Sequence, residues 1–246
     1  MRSLLLLLCV TLALIGCDRH EPTHGAASSE ASTQPARTGT ASIRGIVMLS
    51  GRAPQMATIA NKPCHDGAPP LKEEKVVTDG SGHLQNVIVY LEDAPPAPPA
   101  ANLPQETLDQ VNCQYVPHVV ALRTGQTLHV TTGDAAMHNV HGLCTANEPF
   151  NFALVRPGQS RDLIFARAEM FPVSCDVHPW MKAYVHVFTH PYFAVTGSDG
   201  SFEIHNVPAG TYTLVAWQEN YGSLEQQVTT PEHQTTSADF AFQSGH

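Results

Sequence analysis

Cys175-Asp176-Val177-His178-Pro179-Trp180-Met181 places a thiol, an imidazole and a thioether within seven residues. Donors of that softness suit copper and make a poor site for hard cations, which take oxygen ligands. One more imidazole would complete a plane of two His nitrogens and a Cys sulfur, with a distant Met sulfur on its axis. Met137-His138-Asn139-Val140, just after the strand-like run 125–132, can supply it. The candidate ligands are therefore His138, Cys175, His178 and Met181. Taken singly, a buried Cys is more often a small hydrophobe and a Met more often core filler. The joint pattern at a strand-to-strand turn is what points to a metal.

At these positions the chain resembles the cupredoxins, most closely the amicyanin type, whose ligand loop also runs Cys-x2-His-Pro-aromatic-Met and whose remote ligand lies in a His-Asn-Val segment. The resemblance covers roughly Asp109 to Phe188. It implies one type 1 (blue) copper on those four ligands, with the Asn139 side chain bracing the ligand loops from behind, as outer groups do at metal sites. It also implies a His178 ring edge near the surface as the electron port. Pro179, Trp180 and Met137 around that edge form a small apolar docking patch, for which a Trp anchor is well suited. Trp180 is equally readable as a plug beneath the copper loop. One departure is Met137, where these proteins often carry Pro.

A copper with four protein ligands has no open position for substrate, so the expected activity is the exchange of single electrons and no enzyme is expected. The chain has one Cys-x2-His loop and no paired His-x-His segments, unlike multicopper oxidases and nitrite reductases. Three classes of function follow: an electron shuttle between redox proteins such as a c-type cytochrome or a periplasmic dehydrogenase, a copper-binding or copper-delivery lipoprotein, and a structural or adhesive surface protein. The first is preferred.

The N-terminus sets the compartment. Met1-Arg2-Ser3 leads into an apolar run from Leu4 to Ile15, too short to span a bilayer comfortably, then Gly16-Cys17. That describes a secretory signal. Leu14-Ile15-Gly16-Cys17 resembles a bacterial lipobox, which implies acylation of Cys17 and a lipid anchor in the periplasm or cell envelope; Asp18 resembles an inner-membrane retention signal. Residues 18–40, rich in Ser, Thr, Ala, Pro and His, read as a flexible tether. The chain carries 13 Lys plus Arg against 22 Asp plus Glu, a formal −9 that becomes −10 without Arg2. An acidic surface argues against nucleic acid and favours a basic redox partner.

Among the six cysteines, Cys9 falls in the signal, Cys17 is the lipid site and Cys175 the ligand. Of Cys64, Cys113 and Cys144, two can pair in an oxidising compartment, and Cys64 with Cys113 is the expected bridge because both sit in polar loops beside strand starts. The spacing His138-x2-His141-x2-Cys144 hints at a second ligand cluster, although a loop Cys beside a solvated His is the plainer reading.

The elements that position these residues read as all-β, since no helical period is sustained; only 103–111 is a candidate for one or two helical turns. Strand-like runs appear at 42–49, 86–91, 193–196, 201–204, 211–217 and 237–242, with Asp199-Gly200 as a hairpin signal. Thr196 to Phe202 together with Val207 to Tyr212 resembles the carboxypeptidase-regulatory, or transthyretin-like, β-sandwich module, and the two upstream runs resemble its opening strands. The expected organisation is a signal (1–17), the tether (18–40), the first part of the sandwich with a Pro-rich linker (41–105), a Greek-key cupredoxin domain (106–190) inserted into it, and the rest of the sandwich (191–246). Insertion at a surface loop is feasible because domain termini lie close together. A linear arrangement, with 43–91 as its own small domain, stays open. His186, alternating with Val185 and Val187, is expected to face solvent, and His190 to sit at the junction of the modules.

Overall fold

The computed structural model describes residues 39–59, 70–95, 97 and 102–245, and every helix or strand assigned among them is a β-strand. The signal, the tether up to residue 38 and Cys64 lie outside the described residues. The first strands are β1 (Ala41–Ser50), β2 (Thr58–Ile59), β3 (Leu71–Lys72) and β4 (Ile88–Leu91). Next come β5 (Glu106–Val111), β6 (Gln114–Val116), β7 (Val119–Arg123), β8 (Thr127–Thr131), β9 (His138–Gly142), β10 (Phe150–Leu154), β11 (Ser160–Ile164), β12 (Glu169–Ser174) and β13 (Lys182–Phe188). The chain closes with β14 (Phe193–Val195), β15 (Ser201–Val207), β16 (Gly210–Gln218), β17 (Gly222–Thr230), β18 (Thr235–Ser237) and β19 (Phe240–Gln243).

β1 pairs with β15 on one edge and runs parallel to β18 and then β19 on the other. β4 lies between β14 and β16, and β16 pairs with β17. The two sheets enclose Ile43, Val47, Val89, Leu91, Phe202, Ile204, Leu214 and Phe240, and the inward and outward alternation over Ser201 to His205 of β15 and along β19 is the period of two that a half-buried strand requires. Both β1 and β4 take their strand partners from beyond residue 192, so the chain leaves this sandwich after β4 and re-enters it at β14. Two glycines are demanded by close approach. A Cβ on Gly45 would lie 1.8 Å from the Ala238 carbonyl oxygen, where β1 changes partner, and Gly200, at φ +68°, turns the Asp199-Gly200 corner with room for no side chain against the Val47 carbonyl.

Between those strands, β5 to β13 build a second pair of sheets, β10-β9-β12-β13-β7 facing β11-β8-β5-β6, around a core that includes Leu108, Tyr115, Leu128, Phe171 and Val185. β12 runs antiparallel to β9 with Val173 opposite Gly142 and Ser174 opposite His141. That register carries the end of β12 toward the start of β9. His138 and the Cys175–Met181 loop therefore share one end of the barrel.

Three expectations are corrected, and one strand goes unannounced by its sequence. The 103–111 stretch is not helical: it contains β5, which buries Leu108 and Gln110, two apart, and pairs with β6 and β8. The 237–242 run is two strands rather than one, broken where Asp239 accepts a hydrogen bond from the Ile46 N–H at 2.8 Å. β17, whose sequence GSLEQQVTT is too polar to announce itself, is a full-length partner of β16. His186 does not face solvent. It is 3% exposed, because the outer face of β13 (Tyr184, His186, Phe188) packs on the sandwich through Trp217, Tyr90 and Phe193, at ring separations of 4.7 to 5.1 Å. His190 is also buried there, its Nδ1 accepting the Tyr192 N–H.

Candidate metal centre

His138, fully buried at the first position of β9, and His178, 5% exposed in the β12–β13 loop, bring their Nδ1 atoms within 3.0 Å of each other. Cys175 Sγ, also buried, lies 3.8 Å from His178 Nδ1 and is hydrogen-bonded to His138. Bonds of about 2.05 Å to nitrogen and about 2.3 Å to sulfur would subtend roughly 95° between the imidazoles and roughly 120° between Cys175 and His178 at one shared ion. Those are angles a d-block ion accepts, so the donors present fit a soft divalent metal. Met181, 1% exposed, closes the loop: its N–H donates to the His178 carbonyl at 2.9 Å and its carbonyl accepts from the Cys175 N–H at 3.2 Å.

The electrostatics favour the liganding forms of Cys175 and His178 and work against that of His138. Burial pushes the Cys175 thiol pKa up, but its bond to His138 and the backbone N–H groups of Asn139, His178 and Val177 outweigh that and hold it below the usual thiol value. Burial works against protonated His138, yet bonds to Cys175 and Asp134 leave its pKa raised. His178 is held low, first by burial and then by the neighbouring His138. Those shifts favour the thiolate of Cys175 and the neutral ring of His178, the forms a metal requires, and oppose the neutral ring at His138.

The supporting residues form two braces. Asn139 donates from Nδ2 to Asp176 Oδ2 (2.7 Å) and Asn151 Oδ1 (2.9 Å), while its Oδ1 accepts the Asp176 N–H at 2.7 Å. It thereby ties β9 to the ligand loop. The second brace, Asp134, is absent from the sequence reading. Its Oδ2 binds His138 Nε2 at 2.9 Å and the Cys113 N–H at 2.8 Å, and its Oδ1 binds the Asn112 N–H at 2.7 Å. A carboxylate behind a ligating imidazole fixes which nitrogen faces the metal. Only its position four residues before His138 could have signalled it. Tyr115, likewise unread, is buried and donates its hydroxyl to the Asn139 and Ser174 carbonyls.

Several apolar side chains around the loop are exposed, alongside the charged Asp176 and Lys182. Met137 is 51% and Val177 47% exposed, and Pro179 is exposed beside them. Because His178 keeps only 5% of its surface, the expected ring edge is a narrow window. Trp180 is half-buried, its ring 5.3 Å from that of His178 and its indole N–H donating to the Cys113 carbonyl at 3.1 Å. Cys113, in the turn between β5 and β6, is fully buried and disulfide-bonded; Cys144 and Cys175 are free thiols. The Cys113 sulfur and a ring nitrogen each of His138 and His178 lie within 4.8 Å of one another. A disulfide sulfur carries no anionic charge, so Cys175 is the thiolate available to a metal. His141 pairs with Asp176 at 3.1 Å rather than with the buried Cys144 thiol, so no second cluster forms there among the described residues.

The sequence model of the carboxypeptidase regulatory-like domain matches residues 178–243, which begins inside the ligand loop, spans β13 to β19 and covers less than half of the chain. No curated protein matches the chain by sequence. Among solved structures, the chain is similar to a copper-containing nitrite reductase from Thermus scotoductus (20% identity, 38% of this chain and 25% of that one, TM-score 0.33). It is also similar to the Cu(I) form of an amicyanin mutant (20% identity, 40% and 97%, TM-score 0.31), and to a purple cupredoxin from Nitrosopumilus maritimus (19% identity, 34% and 99%, TM-score 0.30). The chain spans a quarter of the nitrite reductase. Scores this low carry no functional weight, and the site's geometry carries the reading instead.

Proposed function

We propose that the chain is a copper protein that passes single electrons between redox partners, its ion held by His138, Cys175, His178 and Met181. One observation carries this reading: two buried Nδ1 atoms 3.0 Å apart, with a buried, pKa-lowered thiol beside them. Copper there would supply one-electron redox chemistry and little else, since four protein donors leave no place for substrate. The chain's own part is to hold those donors still. Asp134 and Asn139 lock the His and loop geometry, and the barrel strands on either side resist its change with oxidation state. Met137, Val177, Pro179 and Trp180 offer an apolar landing surface beside His178, and the net charge of −9 favours a basic partner such as a c-type cytochrome.

Three further elements belong to the same proposal. Acylation at Cys17 anchors the chain in the cell envelope, the sandwich carries the inserted copper module, and Cys64 is the partner of Cys113. The last is supported by Cys144 and Cys175 both being free. Release of a Cys17→Ser variant from membranes tests the first, and peptide mapping without reduction tests the third.

The decisive experiment loads the protein with Cu(II) and reads the thiolate-to-copper charge-transfer band, which Cys175→Ala should abolish. Reduced protein is then mixed with a basic c-type cytochrome in a stopped-flow instrument. Fast oxidation, slowed by Trp180→Ala and by salt that screens the acidic surface, is the expected result. Rapid copper loss to an apo-acceptor with slow electron exchange would instead make delivery the function.

A further inference from the structure

Cys113 stands out because its sulfur reaches the metal centre while being spent on something else. Its Sγ and one nitrogen each of His138 and His178 lie within 4.8 Å of one another, and all three residues are buried. Donors on one tetrahedral ion stand about 3.5 Å apart for ordinary metal–nitrogen and metal–sulfur bonds. The remaining gap is within the swing of a Cys side chain about its Cα–Cβ bond once its sulfur is free. Two hydrogen bonds besides the disulfide hold the backbone that aims it. The Cys113 N–H is held by Asp134, the carboxylate that also holds His138, and its carbonyl is held by the Trp180 indole. Asn112 and Cys113 both sit at φ +55°, a conformation that non-glycine residues seldom adopt in succession.

We infer that Cys113 is a redox-gated metal ligand: with its disulfide closed the centre has one thiolate, Cys175, and with the disulfide opened Cys113 becomes a second. This rests on the copper reading of the same site. The opening step is thiol–disulfide exchange with a dithiol reductant. Two electrons and two protons pass to the chain, the S–S bond becomes two thiols, and the reductant leaves as its own disulfide. On binding metal, Cys113 loses its proton to solvent. Two thiolates and two imidazoles form a tetrahedral set that suits Cu(I) or zinc and poorly suits Cu(II). Reducing conditions therefore convert an electron-passing centre into a metal-retaining one.

The test uses the full chain freed of metal, half left oxidised and half reduced with dithiothreitol and desalted without oxygen, each loaded with one equivalent of Co(II). The thiolate-to-cobalt band should be about twofold stronger in the reduced protein, and zinc affinity by chelator competition about tenfold or more higher. Both gains should vanish in Cys113→Ser. If that variant does not fold, alkylation mapping of reduced wild type serves instead, and metal should slow labelling of Cys113 about tenfold. Equal band intensity in the two wild-type states, a gain that survives Cys113→Ser, or metal-independent labelling of Cys113 overturns the inference. Those results leave the copper reading intact wherever the oxidised protein shows a band that depends on Cys175; a protein that takes no metal in either state refutes the copper reading itself.

Discussion

Replacing Asp134 by Asn changes one atom pair and should cripple the centre. The carboxylate is 9% exposed and accepts three hydrogen bonds, from the Asn112 N–H, the Cys113 N–H and His138 Nε2. An amide offers one oxygen. Turned toward Cys113 and His138, it points its NH2 at the Asn112 N–H; turned the other way, it confronts both other donors. At least one buried donor loses its partner, at about 1–3 kcal/mol, and the surviving bonds lose their charge assistance. The sum is about 2–4 kcal/mol, or roughly 5–15 °C in midpoint for a unit of this size. The larger effect is local, because His138 is no longer held with Nδ1 toward Cys175 and His178; metal affinity should fall about 10- to 100-fold. Chemical denaturation of the metal-free protein and chelator competition of the loaded protein measure the two effects separately. If Asp134→Asn unfolds within about 0.5 kcal/mol of wild type and binds metal with unchanged affinity, Asp134 is a bystander and the account of the brace is wrong.

Two pH-linked predictions follow from buried or caged groups. Burial pushes the His186 pKa down to about 3, so below its ordinary value near 6.5 the unfolded chain takes up a proton that the folded chain refuses. Stability is therefore intact above pH 6.5 and lost as pH falls toward 3, about 2 kcal/mol of it by pH 5; His186→Phe should flatten that part of the profile, and an unchanged slope would show that the Trp217 contact does not exclude the charged ring. Glu169 is opposed by desolvation but held down to about 2 by the N–H groups of Thr145, Ala146 and Asn147 and by the side chains of Thr145 and Asn147. Its contribution is present above pH 4.5 and disappears toward pH 2; Glu169→Gln should cost about 1 kcal/mol near neutral pH after solvent screening, and a variant as stable as wild type at pH 7 would refute the cage.

Much of the candidate centre is legible in the sequence because the donors a metal would need lie close together in the chain. Cys175, His178 and Met181 lie on one loop whose spacing is itself the signal, and strand propensity around them points to the all-β class. His138 is legible as well, because a soft-metal site needs a second imidazole and the His-Asn-Val segment follows a strand. What the chain cannot announce is what lies across space. The alternation of β13 holds, and Val185 and Val187 do face the barrel core, but alternation states only that His186 points the other way. Whether that side meets water or another sheet depends on Trp217 and Phe193, supplied from later in the chain. The places of Asp134 and Cys113 beside the candidate site are invisible for the same reason: they come from three hydrogen bonds and a sulfur's nearness, set by how the loops at one end of the barrel converge. Residue types and short spacings determine the chemistry on offer. Long-range pairing decides which groups are buried together, and burial is what turns a carboxylate or a histidine into part of the candidate centre.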